Sequence, residues 1–441
     1  MLAYLFPPDS GSGSFRPMHF ARHLQELGEE ICVLTAREED YMPYQTKDPR
    51  LLEEVPAGVT IFRSRVFRPG EAVIEFRNRL FRRTPGTEEA AVPFDSHGVT
   101  APANLSWFHQ LKDTVTNFLT TPDPEIGWLP SAVKEGLKII KTRNIDVIYV
   151  TAAPWTSLLI AALLKRFTGK PLVMDFRDPW VTNPVFQLKT KASQRIEAFL
   201  ERQVLPWADR IVVNTDELKQ DFLRRFPSLA EDTLTTITNG FEAYRARPEQ
   251  RNERLTLTHA GTMIFRNPRF LLQAVMNSIE QERLRPEELR IVFLGGITSE
   301  EPALKALLQH PRLRQVVEIL PRRPYREALD DQNRSDVLFL MQPDEFPLQV
   351  PRKLYEYIAF RKPILGITPP DSATGKIIRE NNLGIAVNDH PAEIEAALQA
   401  LYAQWKKGDL SLLSTDKCDQ FMNTHLTLKL QKVLGEALAN R

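Results

Sequence analysis

Residues 2–34, LAYLFPPDSGSGSFRPMHFARHLQELGEEICVL, decide the fold. Leu2–Phe6 is a short apolar run, Gly11 and Gly13 lie in a polar turn, and residues from about Phe15 to Leu27 carry a helical pattern. Gly28 then stops the helix, because glycine takes the left-handed conformation just past a helix end without steric cost. Ile31-Cys32-Val33-Leu34 begins a second apolar run. Strand, turn, helix and strand in this order form a βαβ unit, which belongs to a parallel sheet.

The pattern repeats outward. Val147–Val150, Leu172–Met174 and Ile211–Val213 are buried-strand candidates, separated by helical patterns over 155–168, 189–204 and 216–225. After Asn239-Gly240-Phe241, residues 243–254 turn polar and basic, as a surface linker does. A second series follows: Leu255–His259, then Gly261 and a helix near 268–281, then Ile291–Leu294 with Gly295-Gly296. Val316–Leu320, Val337–Met341, Pro363–Ile367 and Gly384–Val387 supply four more strands. The expected organisation is a first α/β domain at 1–242, a second at 243–425, and a terminal helix at 426–441 that crosses back to the first. Open α/β sheets bind ligands beyond the carboxyl ends of their strands, so a cleft between the halves is expected.

Composition excludes several classes. The 441 residues, 42% hydrophobic, suffice for two or three packed domains. Lys+Arg 57 against Asp+Glu 56 leaves a net charge of +1, which argues against a protein that coats nucleic acid or a generally basic membrane binder. No apolar run approaches the ~18 residues of a spanning helix. The start, Met1–Phe6, lacks a basic region before Pro7-Pro8 and does not read as a secretory signal. Two cysteines, Cys32 and Cys418, support neither a disulfide framework nor a thiolate metal site, so a reducing cytoplasm is the expected location.

One stretch departs from the alternation. Residues 62–128 interleave Phe62, Phe67, Phe76, Phe81, Trp107, Phe108, Phe118 and Trp128 with Arg63, Arg65, Arg68, Arg77, Arg79, Arg82 and Arg83. Such an insertion suits peripheral contact with an anionic membrane or a grip on an acidic acceptor. The plainer reading, which the poor periodicity favours, is a long insertion with its aromatics packed on the domain and the arginines left in water.

Four segments carry candidate chemistry. Pro8-Asp9-Ser10-Gly11-Ser12-Gly13-Ser14-Phe15-Arg16 joins a strand to a helix, where free N–H groups and the helix dipole favour an anion or a sugar hydroxyl. It departs from the dinucleotide fingerprint G-x-G-x-x-G, because Arg16 stands at the third glycine. Asp175-Phe176-Arg177-Asp178-Pro179-Trp180 closes a strand and is placed to face a cleft; a structural Asp–Arg pair is the plainer alternative. Gly261-Thr262-Met263-Ile264-Phe265-Arg266 repeats the strand-to-helix loop, with Arg266 able to clamp an anionic group. In Val350-Pro351-Arg352-Lys353-Leu354-Tyr355-Glu356-Tyr357, a helix starting near Pro351 puts Lys353 and Glu356 three apart. That is either an ordinary ion pair or a lysine beside a carboxylate that accepts ribose hydroxyls. Other signatures fail: His19 and His23 lack a third ligand, no Asp-x-Asp occurs, and Gly11-Ser12-Gly13-Ser14 is not a serine-hydrolase elbow.

In their order and spacing, these segments, with Ala208-Asp209-Arg210-Ile211-Val212-Val213 and Asn239-Gly240-Phe241, make the chain similar to the retaining GT-B glycosyltransferases of family 4. The form Asp-Phe-Arg-Asp-Pro-Trp looks like the branch used in bacterial surface-polysaccharide assembly. The resemblance implies two Rossmann-like doubly wound domains, with a nucleoside diphosphate sugar held mainly by the second and a glycan or lipid-linked acceptor by the first. It implies donor-site roles for Gly11, Ser12, Gly13, Gly261, Thr262, Arg266, Lys353, Leu354 and Glu356. Glu356 corresponds to the second glutamate of the family's E-x7-E motif, Arg266 to a diphosphate clamp, and Lys353 to a donor-site lysine of this branch. Arg177, Asp178, Arg266 and Lys353 are the catalytic candidates, and Arg16 and Trp180 the acceptor contacts. The loop Pro347–Pro351 is expected to approach the donor through its backbone, and Ser372-Ala373-Thr374 to open a helix near the phosphates. Leu348 replaces the motif's first glutamate, and the histidine often found after the fourth strand is missing from Thr151-Ala152-Ala153-Pro154.

The expected activity is sugar transfer to a hydroxyl with retention, without metal or other cofactor and without a nucleic-acid partner. The rivals are a non-catalytic sugar-nucleotide-binding scaffold of the same fold, a nicotinamide-dependent oxidoreductase and a non-hydrolysing epimerase, since fold does not fix chemistry.

Overall fold

The computed structural model describes residues 1–43, 45–68, 120–243, 252–261, 263, 266–410 and 415–439. Most of the aromatic and basic stretch, including Phe76, Arg79, Arg82, Arg83 and Trp107, and also Thr262, lie outside the described residues.

The chain divides into two compact units. Unit 1 comprises Met1–Asn214, Leu218–Ile237 and Thr427–Arg441; unit 2 comprises Thr215–Glu217 and Thr238–Leu426. The strands of unit 1 are β1 (Cys32–Ala36), β2 (Thr60–Ser64), β3 (Ile148–Ala152), β4 (Leu172–Phe176), β5 (Arg210–Val213) and β6 (Leu234–Thr236). Its helices are α1 (Ser12–Glu26), α2 (Leu129–Thr142), α3 (Thr156–Thr168), α4 (Lys191–Val204) and α5 (Asp216–Arg225). β1 pairs with β2, and β3 to β6 follow one another, all in parallel. Leu2 bridges both Leu34 and Val150, so the N-terminal segment fills the place between β1 and β3. Successive strands advance in one direction from β2 to β5. Right-handed crossovers therefore set α2, α3 and α4 side by side on one face.

Unit 2 holds β7 (Leu255–Ala260), β8 (Leu289–Leu294), β9 (Val317–Leu320), β10 (Val337–Met341), β11 (Ile364–Ile367) and β12 (Gly384–Val387). They form one parallel sheet in the order β12-β11-β10-β7-β8-β9. The helices are α6 (Arg269–Glu280), α7 (Pro302–Gln309), α8 (Tyr325–Asn333), α9 (Arg352–Ala359), α10 (Ala373–Glu380) and α11 (Pro391–Lys407), besides single-turn pieces. α12 (Asn423–Ala439) ends the chain; from Thr427 it belongs to unit 1, where Glu436 meets Arg210 at 3.3 Å and Gln431 donates to Glu29 at 2.8 Å.

Central strands read as continuous apolar runs because both faces are covered. All five residues of β10 are buried, as are those of β3 and β4. Each unit has its own core. Stacked Trp155 and Trp180, 5.1 Å apart, and the Phe176–Phe222 edge contact at 4.9 Å anchor that of unit 1.

Three local expectations change. Leu2–Phe6 contributes two isolated bridges, both at Leu2, rather than a full strand, because Pro7 and Pro8 carry no N–H to extend the ladder. β2 and α2 fall inside or next to the stretch read as an insertion. α1 begins at Ser12, three residues early. Among the described residues, no helix is long and apolar enough to cross a membrane.

Candidate functional site

In unit 1 the first glycine loop is organised by Asp9, which is buried. One carboxylate oxygen accepts from the Gly11 N–H at 2.9 Å and the Ser14 hydroxyl at 2.6 Å; the other accepts from Gln45 Nε2 at 2.9 Å. Asp9 thereby takes on the N-cap work, and Gly11, Ser12 and Gly13 stay accessible at the start of α1. Gly13 is required by space: a Cβ there would lie 2.4 Å from Leu5 Cδ1 and 2.5 Å from Arg177 Nη1.

The segment closing β4 turns mostly inward. Asp175 is fully buried and receives Arg16 Nε at 2.8 Å, Arg16 Nη2 at 2.9 Å and the Tyr149 hydroxyl at 2.6 Å. Arg16 also donates to the Ile237 carbonyl at 2.8 Å and lies over the Phe20 ring. Burial and the negative Asp175 push the Tyr149 phenol well above its usual range. Arg177 donates to the carbonyls of Gly13 (2.6 Å), Ala152 (3.0 Å) and Ala153, and burial lowers its pKa. Trp180, 1% exposed, stacks on Trp155 and donates its indole N–H to Glu197 at 2.9 Å.

These positions correct two expectations. Arg16 and Trp180 are interior residues with their donors spent on the protein, so neither presents a surface to an acceptor. Arg177 ties the start of α1 to the end of β3, at the segment that lacks the family's histidine, and so has a positioning role. Asp178 keeps partial exposure.

In unit 2 the expected donor residues converge at the carboxyl end of β7. Gly261 has φ +109°, a conformation glycine accepts freely, and a Cβ on it would meet Lys353 Nζ at 2.2 Å. Lys353, from the first turn of α9, therefore lies directly against the Gly261 backbone. Glu356 is held by Arg352 Nη2 at 2.9 Å, an i,i+4 pair absent from the sequence alternatives, which were an i,i+3 pair with Lys353 and a ribose-binding carboxylate. Leu354 is wholly buried, which leaves only its backbone for a ligand. The Tyr357 hydroxyl receives the Ala260 N–H and donates to the Phe339 carbonyl, both at 3.3 Å, fixing α9 to β7 and β10.

His259 was read from sequence only as a strand residue. It is buried, and its Nδ1 lies 3.0 Å from the Phe339 carbonyl. A carbonyl only accepts, so Nδ1 carries the proton and Nε2 is left as an acceptor without a partner among the described residues. Burial, then the charge of Lys353 and, more weakly, of Arg266, drive its pKa far below the usual value against the opposing Phe339 bond. The imidazole is neutral and shares its surroundings with both cations.

The loop before α9 is folded by Gln342, whose Nε2 donates to the carbonyls of Phe346 at 2.7 Å and Gln349 at 2.9 Å. Ser372 caps α10 by accepting from the Gly375 N–H at 3.1 Å, and the Ala373 N–H bonds the Pro347 carbonyl at 3.0 Å. The loop Pro347–Pro351 and the start of α10 are thus joined.

Known structures share this architecture. Sucrose-phosphate synthase from Thermosynechococcus elongatus superposes with a TM-score of 0.62 at 12% identity, over 100% of this chain and 98% of that one. HepE of Anabaena in complex with UDP gives 0.62 at 12% identity, over 98% of each. The lipopolysaccharide outer core galactosyltransferase WaaB, in its apo form, gives 0.55 at 12% identity, over 98% of this chain and 99% of that one. These likenesses establish the GT-B fold. No curated protein matches the sequence. Residues 13–240, just over half of the chain, match the glycosyl transferase 4-like domain. The chain belongs to the glycosyl transferase 4-like family.

Proposed function

We propose that this glycosyltransferase moves a sugar from a nucleoside diphosphate sugar to a hydroxyl acceptor with retention at the anomeric carbon, in assembly of a bacterial surface polysaccharide or glycoconjugate. The observation that carries the donor reading is the convergence of Gly261, Lys353, Arg266 and Glu356 around the end of β7 and the start of α9. UDP bound to HepE, a protein of the same fold, supports a nucleoside diphosphate as the ligand.

In this reading Arg266 and Lys353 hold the diphosphate. The transition state places positive charge on the sugar ring and negative charge on the leaving diphosphate, so fixed cations there lower the barrier. With that charge supplied by side chains, transfer needs no divalent metal. Glu356 accepts the vicinal ribose hydroxyls, and the Leu354 backbone lies beside them. In unit 1, Gly11, Ser12 and Gly13 keep an accessible helix start and Asp178 a partly exposed carboxylate. The acceptor is a glycan or a lipid-linked sugar.

The test is release of nucleoside diphosphate from a panel of nucleotide sugars, with and without a lipid extract as acceptor source. Release by the wild type that is lost in Arg266→Ala and Lys353→Ala fits this reading. Release at the wild-type rate by both variants removes the assignment. A non-catalytic, donor-binding protein is the second reading, favoured by the capture of the Ala152 and Ala153 carbonyls by Arg177 where the family carries a histidine. Tight nucleotide-sugar binding without release from any donor would select it.

A further inference from the structure

The outer surface of α2, α3 and α4 carries a charge pattern that folding does not require. On α4 the stripe Ser193, Glu197, Glu201 and Val204 is buried, and the opposite stripe Lys191, Arg195, Phe199 and Arg202 is exposed. Both carboxylates of the helix are taken up inside. Glu197 accepts from Lys189 at 2.7 Å as well as from Trp180, and Glu201 from Arg225 at 2.5 Å. Burial pushes both carboxyls above their usual range, so placing them inward has a desolvation cost. A helix that only needed solvation would keep its acids in water.

α2 repeats the arrangement with Lys134, Lys138 and Lys141 exposed at i, i+4 and i+7, while its single acid, Glu135, pairs with Lys138 at 3.2 Å. α3, packed between them, contains no acid and ends in exposed Arg166 and Phe167. Lys165 meets Asp209 at 2.6 Å, two residues beyond Trp207, which brings the end of α3 to the turn that follows α4. Three large apolar side chains stand on this layer: Phe167 is 64% exposed, Phe199 59% and Trp207 36%. From residue 129 to 207, all described, eight bases are exposed against one exposed carboxylate, Asp146. The whole chain carries only +1, so the positive charge is concentrated here.

We infer that this face docks on an anionic lipid surface. Bases held over lipid phosphates and aromatic side chains inserted at the headgroup boundary are what such a surface recognises. Single-stranded nucleic acid would also attract bases and aromatics. Its binding, however, uses a groove that tracks the backbone, whereas these side chains stand on the outside of three packed helices. The inference does not depend on the transfer chemistry, and it uses residues other than those of the aromatic and basic stretch beyond Arg68.

The experiment is sedimentation of the full-length protein with vesicles of phosphatidylcholine alone or with about one third phosphatidylglycerol, at low salt and at roughly 1 M salt, where screening reaches a few ångströms. Binding is expected only to the anionic vesicles, with loss at high salt. Arg195→Ser with Arg202→Ser should weaken partition about 25-fold, roughly five-fold per base. Phe199→Ser with Trp207→Ser should weaken it about tenfold. Arg195 and Arg202 are exposed, so melting of the arginine variant should be unchanged, and Phe199→Ser alone, at a side chain 59% exposed, serves as the aromatic variant with melting intact. Arg312→Ser with Arg314→Ser, exposed bases of unit 2, should leave partition unchanged. Absence of wild-type binding to anionic vesicles, or equal loss in the α4 and unit 2 variants, would overturn the proposal. So would binding of an RNA oligonucleotide without vesicle binding, which would assign the face to nucleic acid.

Discussion

Arg16→Met separates a structural arginine from a ligand-binding one. The substitution keeps most of the side-chain volume and removes two charge-assisted bonds to Asp175, at 2.8 and 2.9 Å, and one to the Ile237 carbonyl. Asp175 is fully buried and would keep the Tyr149 hydroxyl at 2.6 Å and the nearby positive charge of Arg177. Breaking a buried pair by removing one partner costs about 3–5 kcal/mol, because the remaining charge loses its hydrogen-bonded counter-ion. At roughly 2–4 °C per kcal/mol for a unit of this size, the unit 1 melting transition should fall by about 6–20 °C. Asp175→Asn alone should also destabilise, whereas the double variant should recover about 2 kcal/mol or more of the summed losses, as coupled neighbours do. The assay is urea and thermal unfolding followed by circular dichroism, with the two units fitted as separate transitions. A loss below about 1 kcal/mol for Arg16→Met, or strict additivity in the double variant, would refute the buried-pair account.

Other predictions concern unit 2 and the chemistry. The pKa of His259 is depressed in the folded state, so below its unfolded value of about 6.5 the unfolded chain takes up a proton that the folded one does not. Stability of unit 2 should therefore fall as pH drops below about 6.5, by up to roughly 1.4 kcal/mol per pH unit, and His259→Phe should flatten that slope; identical urea midpoints against pH for both proteins would contradict it. Gly375→Ala places a Cβ 2.3 Å from the Pro369 carbonyl oxygen, so its unfolding midpoint should drop by an amount typical of overpacking, about 1–3 kcal/mol. Transfer should persist in EDTA, and loss of activity restored by Mg²⁺ would contradict metal independence. The anomeric proton coupling of the product, read by NMR, should match that of the donor if transfer is retaining; inversion would remove that element of the proposal.

The fold was legible where one-dimensional signals are strong. Runs such as Val337–Met341 are apolar throughout because they are covered on both faces, and Gly28 and Gly261 do take positive φ. β2, with sequence Thr60–Ser64, was hidden because its half-buried residues include Phe62 and Arg63, which merged with the aromatic and basic run behind them. The site was legible as a set of segments but not as directions of side chains. Arg16 and Asp175 are 159 residues apart, so nothing local marks them as partners, and an arginine beside a glycine loop at a helix start reads as an acceptor contact until its burial is known. Arg352 competes with Lys353 for Glu356, and only the helix geometry settles that pairing. The signal for His259 was present as a lone polar ring in Leu-Thr-Leu-Thr-His-Ala just before Gly261, but its hydrogen bond crosses to a strand 80 residues away.

The most direct test of the central claim is a thermal-shift screen of the intact protein against nucleoside diphosphates, nucleotide sugars and NAD(P)H, repeated with Glu356→Ala. Ligand held by the folded state at about 100 times its Kd stabilises by roughly 2.7 kcal/mol, which moves a melting transition by several degrees. The account predicts such a shift from a nucleotide sugar and its reduction in Glu356→Ala. A shift from NAD(P)H alone, or none from any nucleotide, would contradict it.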